Sequence, residues 1–254
     1  MLLTLAMQSL NGLIEGGDQD IQEIPNLSAG QLDLRGVLID ASHLSGWSFD
    51  AYDLFRNNAD KAKAPCLLVR DNTPMDLTEG HEQESRERIQ RLSVAANRLG
   101  CNAVAITPVF PDDENAVKFI SLQLREAMQG VERLELNLLL QPTEGLTSDP
   151  DQQIEIIKQI GGFRIGALPT FSSASATGDG INALQKLAPY AGGIVADFPT
   201  GRGKKAIDLV KGLRAIQDVG YVNTVSLNYI GKGNPIQELN KASKKMHKFL
   251  EGGK

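Results

Sequence analysis

Short apolar runs, rich in Leu, Ile and Val, recur along the chain at Leu2–Leu10, Leu34–Ile39, Cys66–Val69, Ala103–Ile106, Leu136–Leu140, Ile165–Leu168, Gly193–Ala196 and Thr224–Tyr229. They are continuous rather than alternating, the pattern of strands covered on both faces, as in a parallel sheet. Segments of helical spacing lie between them. Phe49–Lys63 places Phe49, Leu54 and Ala59 among charges, and Glu82–Leu99 places Ile89, Leu92, Ala95, Ala96 and Leu99 at three- and four-residue steps. Asn115–Met128, Pro150–Ile160, Gly180–Leu187, Lys204–Val219 and Pro235–Leu250 continue the series. Gly100, Gly161, Gly192 and Gly220 stand at or near the predicted helix exits.

Alternating strands and helices joined by right-handed crossovers allow an open doubly wound sheet or a closed barrel. About eight units in 254 residues favour the (β/α)8 TIM barrel. The open sheet would be helped by a GxGxxG turn after the first strand, but the chain reads Asn11-Gly12-Leu13-Ile14-Glu15-Gly16-Gly17 there. The first β/α unit is irregular, because Asn11–Gln31 is rich in Gly, Asp and Gln and has little helical periodicity. No Pro/Gly/Ser linker separates compositionally different halves, so residues 1–254 read as one barrel domain.

Composition narrows the partners. Hydrophobic residues at 41% and charged residues at 22% exclude wholesale disorder. A net charge of −5 at pH 7 argues against a partner gripped through phosphates, such as duplex DNA. Cys66 and Cys101 lie in separate apolar runs with no CxxC, which speaks against a disulfide framework or a cysteine-built zinc site. The apolar start has no Lys or Arg before Arg35, and no run reaches the roughly 20 apolar residues of a membrane span. A cytoplasmic protein is the expectation.

In a barrel of this kind chemistry sits at the carboxyl ends of the strands. Those positions hold Gln8, Asp40-Ala41-Ser42-His43, Arg70-Asp71-Asn72, Thr107, Gln141-Pro142-Thr143-Glu144, Pro169-Thr170, Asp197 and Asn228-Tyr229. The set is polar but poor in metal ligands. Only His43 of the three histidines lies at a strand end, where it serves as a ligand or as a hydrogen-bonded loop residue. No HExxH, GxSxG, Walker loop or Cys/His pair is present.

The segments Leu34-Arg35-Gly36-Val37-Leu38-Ile39-Asp40, Ala95-Ala96-Asn97-Arg98-Leu99-Gly100-Cys101 and Val219-Gly220-Tyr221, followed by Val225-Ser226-Leu227-Asn228-Tyr229-Ile230-Gly231-Lys232-Gly233-Asn234-Pro235, resemble the sugar phosphate isomerase/epimerase (xylose isomerase-like) barrels. The resemblance covers most of the chain. It implies a site in which active, metal-dependent members carry a glutamate ending the fifth strand, an aspartate the sixth, a histidine in the seventh and a glutamate ending the eighth. Matched position by position, this chain has Gln141, Pro169 or Thr170, Ile194 and Asn228, while Asp197 matches an acidic residue that often ends the seventh strand. An uncharged amide binds a divalent cation far more weakly than a carboxylate, so no metal and no other cofactor is expected.

Three functions then compete. The first is a pseudoenzyme that binds a small ligand (a sugar, sugar phosphate or sugar acid) through Gln141, Thr143 and Asn228. The second is a metal-independent isomerase or epimerase in which Glu144 and Asp197 exchange protons, which requires burial to raise one carboxyl pKa. Glu144 alternatively caps the turn at Gly145. The third is an interaction or assembly module, although one Trp and 5% aromatic residues supply little hot-spot surface. The glycine loops Thr200-Gly201-Arg202-Gly203-Lys204-Lys205 and Gly231-Lys232-Gly233-Asn234 suit an anion held by backbone N–H groups with Arg202, Lys204, Lys205 and Lys232 adding charge, or else are plain exposed turns. Trp47 lines the mouth or staples the helix that begins at Ser48. Homo-oligomerisation through the barrel helices stays open.

Overall fold

A computed structural model describes residues 1–199 and 207–252. Its eight strands are β1 (Leu2–Ala6), β2 (Val37–Asp40), β3 (Cys66–Asp76), β4 (Ala103–Val109), β5 (Asn137–Leu140), β6 (Ile165–Ala167), β7 (Gly193–Phe198) and β8 (Thr224–Tyr229). They form one parallel sheet in the order β6-β5-β4-β3-β2-β1-β8-β7. The two ends of that order meet through the parallel bridges Ala167↔Ala191 and Thr170↔Val195. There the N–H groups of Gly192 and Val195 donate to the carbonyls of Ala167 (3.1 Å) and Pro169 (3.0 Å), which curls the sheet into the expected (β/α)8 barrel.

The helices are α1 (Asn11–Glu15), α2 (Ile24–Gly30), α3 (Phe49–Ala62), α4 (Glu82–Leu99), α5 (Glu114–Arg133), α6 (Pro150–Ile160), α7 (Phe171–Ala176), α8 (Gly180–Leu187), α9 (Leu209–Asp218) and α10 (Pro235–Gly252). The first unit is the irregular one, its two short helices joined through a 3-10 turn at Ile21–Glu23. On α4 the buried Ile89, Leu92, Ser93, Ala96 and Leu99 keep the predicted spacing, and Gly100 closes the helix in the left-handed region. On α3 Ala59 faces the core as predicted, but Phe55 takes the place of the exposed Phe49 and Leu54. Phe49 lies exposed under the Arg98 guanidinium, 4.2 Å from its ring centre. Trp47 packs edge-on to Tyr52 at 5.3 Å and against Phe55 at 5.6 Å, so it staples α3. Cys66 and Cys101 are free buried thiols; burial, then the neighbouring Cys66, pushes the Cys101 thiol well up.

Two features escaped the sequence pattern. β3 runs on to Asp76, because its pairing with β4 resumes at Pro74↔Thr107 after an irregularity. Asp71 in that extension takes two hydrogen bonds from Arg88 of α4, each of 2.7 Å. The helix α7 has no apolar period; a capping box between Thr170 and Ser173 holds its start. The predicted helix from Lys204 begins outside the described residues, and its described part is α9.

Side chains alternate across each strand, which fixes what the barrel interior holds. Ala6, Leu38, Leu68, Ala103, Ala105, Leu139, Leu168 and Val195 form the inner apolar cluster. Two residues further toward the carboxyl ends, every one of these runs becomes polar. The residues there are Gln8, Asp40, Arg70, Thr107, Gln141, Thr170 and Asp197, with Asn228 following Ser226 on β8.

Candidate functional site

Those strand-end side chains other than Thr170, which bonds to Ser173 at the start of α7, form one connected network above the apolar interior. Arg70 donates from Nε to Asp40 Oδ1 (2.7 Å) and from Nη2 to Gln8 Oε1 (2.9 Å). Asn228 Nδ2 donates to the same Gln8 oxygen (3.0 Å) and to Asp197 Oδ1 (2.7 Å). The second oxygen of Asp197 accepts the Ser172 N–H at the start of α7 (3.1 Å). On the other side Asn72 Nδ2 donates to Asp40 Oδ1 (3.1 Å), and Gln141 Nε2 donates to Asn72 Oδ1 (2.9 Å) and to Thr107 Oγ1 (3.2 Å). Arg70 and Asn228 are each 2% exposed, Asp197 5% and Gln141 9%.

The amide orientations follow from partners whose role is unambiguous. Ionised carboxylates only accept, so Asn72 and Asn228 must turn nitrogen toward Asp40 and Asp197. Ser9 fixes Asn228 from behind, accepting the Tyr229 N–H (2.8 Å) while donating to Asn228 Oδ1 (3.2 Å). Thr107 spends its proton on the Asp71 carbonyl (2.7 Å), so it accepts from Gln141. Gln141 Oε1 is thereby left as a sealed acceptor with no partner among the described residues.

This donor set does not fit a divalent cation. Gln141 and Asn228, at positions where the resemblance implies anionic ligands, turn their N–H groups into the network, and the two carboxylates are joined only through Arg70, Gln8 and Asn228. Among the described residues no group of three or more His, Cys, Asp or Glu could hold a metal ion. His43 lies on the 3-10 turn Ala41–Leu44 after β2, its Nε2 2.9 Å from Asn11 Oδ1.

The remaining sequence candidates lie at the rim. Glu144 is exposed, and among the described residues its carboxylate has no hydrogen-bond partner. It lines a cavity of about 440 Å³ with Thr143, Ser148, Ser173 and Thr177. Asp197 is buried in the network and is not part of that lining, and no hydrogen bond joins the two carboxylates. Thr143 organises its own loop, its hydroxyl lying 2.9 Å from that of Thr147. Lys232 is exposed. The glycines beside it wrap Tyr229: Gly233 N–H donates to the Tyr229 hydroxyl (2.7 Å), and a Cβ at Gly231 would collide with that hydroxyl. Arg202, Lys204 and Lys205 lie outside the described residues. Gln8, Asp40, Arg70, Asn72 and Thr107 are the network residues that the sequence placed at strand ends without assigning them a role; Arg70 was visible there as the one cation among the inward positions.

No family model and no curated protein matches the chain. Solved structures do. A probable 3-DHS dehydratase, AsbF, involved in petrobactin synthesis in Bacillus anthracis, is similar at TM-score 0.79 and 14% identity, over 97% of this chain and 99% of that one. D-psicose 3-epimerase from Clostridium cellulolyticum H10, solved with D-tagatose, matches at TM-score 0.79 and 13% identity, over 98% and 99%. A xylose isomerase domain protein from Planctomyces limnophilus matches at TM-score 0.69 and 15% identity, over 87% and 89%. No helix among the described residues is long and apolar enough to cross a membrane. Eight parallel strands, their order and these full-length matches show that the chain has the fold of the xylose isomerase-like TIM barrels, the architecture of sugar phosphate isomerases and epimerases.

Proposed function

We propose that this barrel takes a small polyhydroxylated ligand (a sugar, sugar phosphate or sugar acid) at its carboxyl-end mouth by hydrogen bonds, without a catalytic divalent metal. The observation that carries the reading is the inward ring at the strand ends, polar on every strand and built of amides, carboxylates, hydroxyls and one guanidinium. Amides and carboxylates gathered at the strand ends of a barrel are groups that can recognise hydroxyls. Gln141 and Asn228 are its central members. The structural neighbours that act on D-psicose or hold D-tagatose supply the probes. The isomerase reading with Glu144 and Asp197 as acid and base gains nothing from the geometry, since the two sit in different surroundings.

A second reading has an observation in its favour. The ring's groups bond to one another, as expected of an interaction module that has retained only the scaffold. Thermal shift in EDTA with D-psicose, D-tagatose, a sugar acid and a sugar phosphate separates the two. The ligand reading expects stabilisation of about 2.7 kcal/mol at about 100 Kd, unchanged by chelator and lost in Asn228→Ala. No shift with any of the four probes would transfer the protein to the interaction class.

A further inference from the structure

We propose that Arg70 is the built-in cation of this mouth: its guanidinium holds the polar ring in one arrangement and presents a free N–H edge to an acceptor oxygen of the ligand. Only the second half rests on the ligand reading above. Arg70 is buried on β3, and it is the one cation in a ring that also contains Asp40 and Asp197.

The hydrogen-bond directions show what it holds. Asp40 accepts from Arg70 and from Asn72, both through Oδ1. Gln8 turns its carbonyl inward because two donors, Arg70 Nη2 and Asn228 Nδ2, converge on it. Asn228 then reaches across to Asp197. Without the guanidinium, Asp40 keeps only a neutral donor, and the Gln8 amide loses one of the two contacts that fix its orientation. The slack would pass through Asn228 to Asp197. A guanidinium is always charged and directional, and no chelator removes it.

Among the described residues, the surroundings of Asp40 contain no other compensating charge. Gln8 from the β1 side and Asn72 on β3 are neutral. Asp71 is paired with Arg88 on the helix side of β3. Asp197 is a second anion, reached only through Gln8 and Asn228. Arg70 Nη1 has no partner among the described residues and is not one of the sealed, unpartnered atoms, so it is the edge of the guanidinium left for a further acceptor.

The test uses the full chain with Arg70→Met, Arg70→Lys and the double variant Asp40→Asn/Arg70→Met, melted at about pH 5 and about pH 8, on either side of the expected Asp40 titration in the variant. In Arg70→Met the Asp40 carboxylate is buried and unpaired, so its pKa rises above the unfolded value. A group raised in this way contributes stability that is present in acid and lost as pH rises through the folded pKa. The Tm deficit of Arg70→Met should therefore be larger at the higher pH, absent as a pH effect in Arg70→Lys, and flattened in the double variant. A deficit independent of pH, which Asp40→Asn does not change, overturns the fixed-cation role and leaves Arg70 as packing. If Arg70→Met does not fold, the double variant decides: a folded double variant with a flat profile supports the role, and one that also fails overturns it.

D-psicose tests the free edge. Stabilisation of the wild type that falls at least about tenfold in apparent affinity in Arg70→Lys, which lacks the planar fork, supports it. Equal stabilisation of both overturns the anchor while leaving the ligand reading intact. No stabilisation of the wild type by any sugar removes the ligand reading and the anchor together, and the pH comparison still decides whether Arg70 is the fixed cation.

Discussion

Asn228 shows how much one amide carries. Its oxygen is held by Ser9, and its nitrogen serves Gln8 and Asp197 at once, so an isosteric carboxylate there would have no donor to offer. Asn228→Asp would set two carboxylates about hydrogen-bond distance apart in a buried site, where they must share a proton. That raises the folded pKa of the pair above the unfolded values, so stability is kept in acid and lost as pH rises. We expect the Tm of Asn228→Asp to match the wild type near pH 4 and to fall well below it by pH 7, corresponding to a loss of about 2 kcal/mol; a pH-independent difference would refute the shared proton. Tyr221, three residues before β8, carries a structural part of the family resemblance. Its hydroxyl donates to the Thr224 carbonyl (2.8 Å), and burial pushes the phenol's pKa upward.

The barrel's weakest junction is the seam between β6 and β7, where two bridges replace a ladder. Glycine is needed there because backbones approach closely: a Cβ on Gly166 would lie 2.7 Å from the Tyr190 carbonyl oxygen, and one on Gly192 2.6 Å from Leu139 Cδ2. A leucine tip can move, whereas a carbonyl in the seam cannot. Gly166→Ala should accordingly cost about 1–3 kcal/mol, and more than Gly192→Ala. Chemical denaturation of both variants checks the order; equal losses would mean that the seam yields as easily as a side chain. The helices around it need less from their neighbours, since α6 begins on an Asp149 cap with Pro150 behind it and α4 ends on Gly100, signals contained within each segment.

Across the molecule, the acid limb of stability is set by carboxylates whose pKa is depressed on folding. Burial works against Asp208, but its hydrogen bonds to Lys245 of α10 and to the N–H groups of Val210 and Lys211 outweigh it and lower its pKa. Asp76 is lowered by Thr78, through hydroxyl and backbone N–H alike. A depressed group adds stability that is present above its unfolded pKa and lost as pH falls through its folded one. The protein should lose stability below about pH 4, and Asp208→Asn should flatten part of that limb. The Lys245 pair is about half exposed and contributes little, and asparagine caps a helix about as well as aspartate, so this variant should lose less than about 1 kcal/mol at neutral pH. An unchanged acid limb in Asp208→Asn would rule Asp208 out as a contributor.

The order of strands and helices, the short first unit and the inward polar set at the strand ends were all legible in the chain. They depend on local periods, and the period of two carries the inner leucines and alanines directly onto Asp40, Arg70, Thr107, Gln141 and Asp197. Local patterns could not show which of these side chains meet. Gln8 and Asn228 are 220 positions apart and share a hydrogen bond only because β1 pairs with β8. The same closure puts Asp197 in a buried network while Glu144, which looks equally acidic and equally near a strand end, points from an exposed loop. Extension of β3 and formation of α7 likewise follow from contacts with β4, α4 and a cap, none of which leaves an apolar period to read. Hydrogen-bond partners and burial are properties of the closed barrel, and only the tertiary structure could turn a list of polar strand ends into a ring ordered around Arg70.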